Sequence, residues 1–255
     1  MHKKYFVWNI DDGLEQDKKI IEILKEYHMG ATFNLNSGMY GDKTYESRIG
    51  NLGMMETPAS KFRTDGFHLL PYAEHFRIKE EELRSVYEDF EIASHTLEHR
   101  NLKSFDVKEK ERQILKDVEN LSSLFDQKIV GFAYPYGVSD EACTKILQST
   151  GIRYARTIKT DKSFRFPQDP LHMPMSCWHV SKKAFETLDA FINARADEAD
   201  MFFLMFAHGY EFDFNTSESN WDKFEEICKR VSAHADIICC STKDAFRMHE
   251  EDKNV

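Results

Sequence analysis

The sequence offers no apolar run long enough to cross a bilayer. The stretch before Tyr5, Met1-His2-Lys3-Lys4, carries two lysines but no apolar core of a signal peptide. A cytoplasmic chain with no membrane partner is therefore expected. Any Cys-x-x-Cys pair is also lacking. The five cysteines, Cys143, Cys177, Cys228, Cys239 and Cys240, are odd in number, so reduced and mostly buried thiols are the simplest account. Positive charge is scarce too. Against 44 Asp and Glu stand only 34 Lys and Arg, a formal net charge of -10, which excludes the broad basic face that nucleic acid or an anionic lipid surface would need. Neutral substrates, or charged ones steered locally, fit this balance best. No repeat, linker or low-complexity tract divides the chain, and no obligate protein partner is evident.

What is present is a core. With 255 residues, 41% hydrophobic and 13% aromatic, the chain is not disordered and can bury one large apolar interior; α/β barrels commonly run to this length. Apolar runs alternate with helical periods. Tyr5 to Ile10 reads as a first strand, and Glu15 to Tyr27 places Ile20, Leu24 and Tyr27 on one helical face, with Gly30 as its stop. Ala31 to Leu35 is the second strand. Residues 37 to 90 interrupt the rhythm and read as an insertion, with one short helix from Lys79 to Glu88.

Strands three to five are expected at Phe90–Ser94, Ile129–Tyr134 and Ile152–Thr157. Between them lie a long helix opened by the capping pair Asp106 and Glu109, and a helix capped by Ser139 and stopped at Gly151. A sixth strand at Met175–Val180 leads to a helix opened by Ser181. Met201–Ala207 is almost wholly apolar, as a strand buried on both faces should be. Trp221, Phe224, Cys228 and Val231 mark one more helix before a last strand at Ile237–Cys240. Seven or eight such units predict one α/β domain over residues 1–255, built as a closed or nearly closed parallel barrel. An open doubly wound sheet is the runner-up, but its Gly-x-Gly-x-x-Gly is missing after the first strand.

In parallel barrels the chemistry sits where strands end. Asp11-Asp12-Gly13 ends the first strand. Adjacent carboxylates there raise each other's pKa unless a cation is near; a divalent metal would remove that cost and leave one carboxylate as a base. A plain turn is the bland alternative. His95 and His99 follow the third strand four residues apart, so on a helical turn they share a face. With one carboxylate, two imidazoles make a facial metal site with open positions. A solvent-facing pair is disfavoured by their placement opposite Asp12. Tyr134-Pro135-Tyr136-Gly137 follows strand four, either as a simple turn or as a turn that aims the Tyr136 amide inward as an oxyanion donor. His208 closes the apolar seventh strand before Gly209, and a general acid is favoured there over a core histidine.

These motifs together resemble the polysaccharide deacetylase family, also called NodB-homology or carbohydrate esterase family 4. Its Asp-Asp-Gly is matched by Asp11-Asp12-Gly13, and its His-Ser/Thr-x-x-His by His95-Thr96-Leu97-Glu98-His99. Pro135-Tyr136-Gly137 matches its Pro-Tyr-Gly, and His208 its strand-terminal His. The resemblance covers about residues 5 to 210, in the family's order. It implies a distorted (β/α)7 barrel and one divalent metal, zinc first, with cobalt, nickel, manganese or iron as alternatives. It also implies Asp11 as base, Asp12, His95 and His99 as metal ligands, the Tyr136 amide as oxyanion donor and His208 as acid.

Two departures stand out. Many members carry an Arg two residues before the proline, where this chain has Ala133; Arg156 or Arg165 is a candidate substitute. The fourth family motif, an Asp and a Trp that orient the acid His, has no clear match. Trp178 is the nearest aromatic, and Glu211 a candidate partner for His208. Tyr134, Pro135, Trp178 and Glu211 are expected near the substrate. His68, His75, Arg63 and Asp65 of the insertion are further candidates for the rim.

Three functions remain. The first is a metal-dependent hydrolase releasing acetate from an N-acetylated sugar or glycan. The second is a related metal-dependent amidohydrolase cutting another linear or cyclic C–N bond of a small substrate. A barrel that binds glycan without turnover is the third, motivated by Ala133 and the missing fourth motif.

Overall fold

Strand β1 (Lys4–Asp11) sends Phe6, Trp8 and Ile10 to one side and Tyr5, Val7, Asn9 and Asp11 to the other, the period of two of extended chain. The computed structural model describes residues 2–41 and 76–253. Around β1 the remaining strands are β2 (Ala31–Leu35), β3 (Glu91–Ser94), β4 (Gly131–Ala133), β5 (Tyr154–Thr160), β6 (Met173–Met175), β7 (Cys177–Trp178), β8 (Met201–His208) and β9 (Ile237–Cys239). The order is β6-β5-β4-β3-β2-β1-β8-β7, with every named pair parallel.

Its two ends meet. Only Ser176 separates β6, paired with β5, from β7, paired with β8. The Asp161 N–H donates to Met175 O at 2.9 Å, and the Ser176 N–H to Leu204 O at 2.9 Å. Residues 173–178 thus act as one kinked stave that leaves the barrel nearly closed. Counted once, that stave gives the seven positions of a distorted (β/α)7 barrel. Strand β9 is a wedge beside the first half of β1, from Lys4↔Ile237, and β2 takes over from Trp8↔Ala31.

Helices α1 (Asp17–Glu26), α2 (Glu80–Val86), α3 (Val107–Phe125), α4 (Glu141–Thr150), α5 (Ala184–Asn193) and α6 (Trp221–Ser232) join the outward strand residues in one apolar cluster. The inward residues Tyr5, Val7, Phe202, Leu204 and Phe206 form a second, into which Phe246 of α7 (Thr242–Lys253) packs. No described helix is long and apolar enough to cross a membrane.

The expected elements appear, with local corrections. Asp106 caps α3, accepting from the Glu109 N–H at 2.9 Å, and Gly151 ends α4 at φ 81, a left-handed turn that glycine adopts without strain. Asp140, not Ser139, caps α4, accepting from the Cys143 N–H at 3.0 Å. Ser181 does not open α5, which starts at Ala184 without a side-chain cap, because the Ser181 hydroxyl accepts from the Lys183 N–H in a local turn. Helix α7 had no expected counterpart. Of the five thiols, four are buried and that of Cys239 is half-buried. His68, His75, Arg63 and Asp65 lie outside the described residues.

Candidate active site

Register assembles the rim. Asp11 ends β1 between Asn34 on β2 and His208 on β8, its Cα partners on either side. Continued alternation would turn Asp12 toward the helices. Instead Asp12 (φ 85) and Gly13 (φ 68) are left-handed, and Asp12 comes to the same rim as Asp11. Thr96 (φ 67), His99 (φ 48) and Tyr136 (φ 58) share that conformation, so four of the eight described non-glycine residues with positive φ stand at this rim. Such strain persists only where the surroundings enforce it, and it gathers at functional sites.

The His95–His99 loop shows how it is enforced. These residues are not a helical turn, contrary to the sequence expectation. Asn36 donates to His95 O and, at 2.9 Å, to Thr96 O, while the Leu97 N–H reaches Gln113 O at 2.9 Å. Asp117, buried on α3, accepts from Ser94 Oγ at 2.5 Å, from the Ser37 N–H at 2.6 Å and from the His95 N–H at 3.2 Å. Peptide groups taken up by side chains leave no helical ladder.

Both imidazoles nevertheless converge on the paired carboxylates, with His95 Nε2 3.4 Å from Asp11 Oδ2. His95 Nε2 lies 4.0 Å and His99 Nε2 3.8 Å from Asp12 Oδ1. Asp12, His95 and His99 are buried, with one donor atom from each within 4.8 Å of the others, and they form the one such group among the described residues. His95 Nδ1 donates to Ala133 O at 2.7 Å, which fixes the tautomer and turns the Nε2 lone pair to the cluster. His95 Nε2 and Asp12 Oδ2 are buried without a hydrogen-bond partner. Burial pushes His95 down, and burial with the neighbouring His95 pushes His99 far down, so both rings are neutral, as metal ligands must be. The donor set therefore fits a divalent cation.

A metal is not needed to relieve the two adjacent acids, contrary to the sequence expectation. Each carboxylate has its own buried guanidinium. Arg156 pairs with Asp11 Oδ2 and donates from Nε to Asn9 Oδ1 at 2.6 Å. Arg77 Nη2 lies 3.3 Å from Asp12 Oδ1. Burial alone would raise Asp11, but Arg156, His95 and His208 outweigh it and hold the carboxyl below its usual range. Asn34 adds a hydrogen bond of 2.8 Å to Asp11 Oδ1.

Arg156 also accounts for Ala133: the two residues are register partners on β5 and β4, so the arginine stands one strand over. Arg165 instead bridges Met201, at the start of β8. Arg77 carried no sequence signal, since it sits alone at the edge of the insertion. Asn9 and Asn34 could have been found from the alternation, as polar residues at inward positions of apolar strands, and Asn36 by continuing it one residue past β2.

His208 Nδ1 stands 3.2 Å from Glu211 Oε1, and its Nε2 3.9 Å from Asp12 Oδ2. Burial works against the charged ring, yet Glu211, Asp12 and Asp11 outweigh it and raise His208 to about 9. Three imidazoles at one rim thus divide into two neutral rings and one cation, the separation that acid–base chemistry needs. Glu211 is wholly buried, so of its two expected roles the partner of His208 stands and the substrate contact is corrected. Its Oε2 accepts from the His208 N–H at 2.8 Å and from Trp178 Nε1 at 3.2 Å, and the unforeseen His179 Nδ1 lies 3.4 Å away.

Tyr134 is corrected as well. Its ring lies in the apolar core, stacked on His172 with centroids 6.0 Å apart, because β4 alternation turns it from the rim. Pro135 is buried in the turn Pro135–Gly137. That turn needs Gly137 (φ 65), where a Cβ would stand 2.4 Å from Ile158 Cγ1. Tyr136 packs edge-on against His99 at 4.9 Å, with its hydroxyl donating to His99 O at 3.4 Å.

Residues 1–155 match the profile of the polysaccharide deacetylase family. No curated protein sequence matches the chain. Among solved structures, a Mycobacterium smegmatis protein assigned as a polysaccharide deacetylase aligns at TM-score 0.61 and 14% identity, over 99% of this chain and 92% of that one. Peptidoglycan deacetylase PdaC from Bacillus subtilis aligns at TM-score 0.54 and 15% identity, over 98% and 94%. With the Streptococcus pyogenes deacetylase PplD in complex with acetate the overlap is 60% of this chain and 55% of that one, at TM-score 0.44 and 16% identity. At 14% and 15% identity the first two of these likenesses speak to the fold alone.

Proposed function

Since the chain belongs to the polysaccharide deacetylase family, we propose that it is a metal-dependent hydrolase that removes the N-acetyl group of an N-acetylated sugar or glycan and releases acetate. The observation that carries the reading is the convergence, from β1, β3 and β8, of a buried Asp-His-His donor set with an ionised carboxylate and a cationic imidazole. Asp12, His95 and His99 would hold the cation, with zinc first because two imidazoles and one carboxylate suit it. That cation supplies a Lewis acid for the amide carbonyl and the attacking water.

This chain's residues do the rest. Asp11, held by Arg156 and Asn34, accepts the proton of the water as it attacks the acetyl carbon. The Tyr136 amide, in a left-handed turn beside His99, would be the donor to the developing oxyanion. His208, kept cationic by Glu211, gives its proton to the departing amine, so the C–N bond breaks to acetate and a free amino sugar.

Acetate release from chito-oligosaccharides and from a panel of small acetylated amides, measured with zinc-loaded protein, tests this and separates glycan from small-amide substrates. Acetate is expected from the glycans. None across the whole panel, with zinc bound, would contradict the proposal. Asp11→Asn should lower kcat by about 100- to 10,000-fold while zinc stays bound, which a non-catalytic glycan binder would not show.

A further inference from the structure

Asp12 already has a cation. Arg77 is buried and enters the rim from an antiparallel bridge with Leu14. Its Nε donates to Asp12 O at 3.1 Å, and its Nη2 donates to Asp12 Oδ1 at 3.3 Å and to Asn36 Oδ1 at 3.0 Å. Oδ1 is also the Asp12 oxygen that faces the imidazoles, 4.0 Å from His95 Nε2 and 3.8 Å from His99 Nε2. One oxygen is therefore claimed both by a guanidinium and by any metal those rings hold. The other, Oδ2, has no hydrogen-bond partner.

Two effects of opposite sign follow. An outer partner that orients a ligand strengthens metal binding, and its loss typically weakens affinity by about 10- to 100-fold. A fixed positive charge beside the ligand repels the metal and draws on the same lone pairs, and burial magnifies this. Orientation here does not depend on Arg77 alone. The Asp12 N–H donates to Asn34 O at 3.0 Å, and the turn through Gly13 is pinned by the Ile78 N–H on Gly13 O, also at 3.0 Å. With the backbone held independently, the charge effect decides the sign.

We propose that Arg77 is a resident competitor for the Asp12 carboxylate. It pairs the carboxylate when no metal is bound, and it holds the affinity of the Asp12-His95-His99 site down so that the metal exchanges and occupancy follows supply. The inference rests on the reading that these three residues bind a divalent cation. Arg77 is a positioning residue in this account, not one that touches substrate.

The test is a zinc titration of metal-stripped protein against a chelator of known affinity, with melting curves in chelator and in zinc. Wild type is compared with R77M and R77Q, which remove the charge, and with R77K, which keeps it. Both uncharged variants should bind zinc at least about tenfold tighter than wild type, because the repulsion is gone. They should also melt lower in chelator and gain more from zinc, while R77K changes affinity less. Unchanged or weaker zinc binding by the uncharged variants would overturn the competitor role and leave the metal site standing. Their failure to fold even in zinc would overturn it too, because Asp12 would then need Arg77 with metal present. Failure of wild type itself to bind zinc would overturn the metal reading along with it.

Discussion

Strands β1 and β8 each carry two faces, and the faces follow different rules. Outward, Phe6, Trp8, Ile10, Phe203, Met205 and Ala207 are apolar from end to end and pack under the helices. Inward, the composition changes along the strand. Tyr5 and Val7 give way to Asn9 and Asp11, and Phe202, Leu204 and Phe206 to His208. Apolar side chains fill the barrel at its start, and charged ones crowd it where the strands end. The junction is visible at Phe206, over whose ring the Arg156 guanidinium lies at 4.3 Å. The outward face holds the barrel together. On the inward face, stability is surrendered near the top to keep three carboxylates, two guanidinium groups and three imidazoles in one buried place.

The contrast is breakable in order of effect. The largest expected change is on the inward face, where Asp11→Asn lowers kcat by the factor set out above. Next is the outward face. Phe203 is fully buried and stacked on Phe6 at 5.4 Å, so Phe203→Ala should cost about 3–5 kcal/mol in denaturant unfolding. Its kcat per folded molecule should not change. A large loss of kcat without destabilisation would erase the distinction between the faces.

Smaller effects sharpen the inward side. Arg156→Ala removes the main charge opposing burial at Asp11, so that carboxyl rises. The acid limb of kcat/KM against pH should then move to higher pH, because the base protonates earlier. An unmoved limb would show that Arg156 serves packing only. Glu211→Gln acts in the opposite direction on His208, which loses its chief anion and falls from about 9, so the basic limb should move to lower pH. A basic limb that stays in place would assign that limb to another group.

Most of the fold was legible because period-two alternation and helical spacing are local signals. β1, β2, β3, β5, β8 and β9 lie where their apolar runs placed them, within a few residues. Closure was not legible. Met175–Val180 reads as one strand from the sequence, whereas the observed stave runs over Met173–Trp178 and its division between two neighbours is decided by β5 and β8, far away in sequence. Asp11, Asp12, His95 and His208 were legible as candidates because each directly follows or ends a strand, and His99 because it stands four residues after His95. Their supporting residues were found less well. Arg156 is one of two candidates that only register separates, and Glu211 reads both as the partner of His208, which it is, and as a substrate contact, which its burial opposes. Arg77, Asp117 and His179 gave no motif, since their roles arise from packing between distant segments. Tyr134 was misplaced because adjacency to a motif says nothing about which side of a strand a ring takes.

The most direct test of the account counts metal. Wild type and His99→Ala, brought to equilibrium by dialysis against buffers of defined free zinc, are measured for protein-bound zinc per chain by elemental analysis. One zinc per wild-type chain, lost in His99→Ala while the variant remains folded, is the predicted result. Equal zinc in both proteins, or none in wild type at any free zinc concentration below precipitation, would contradict it.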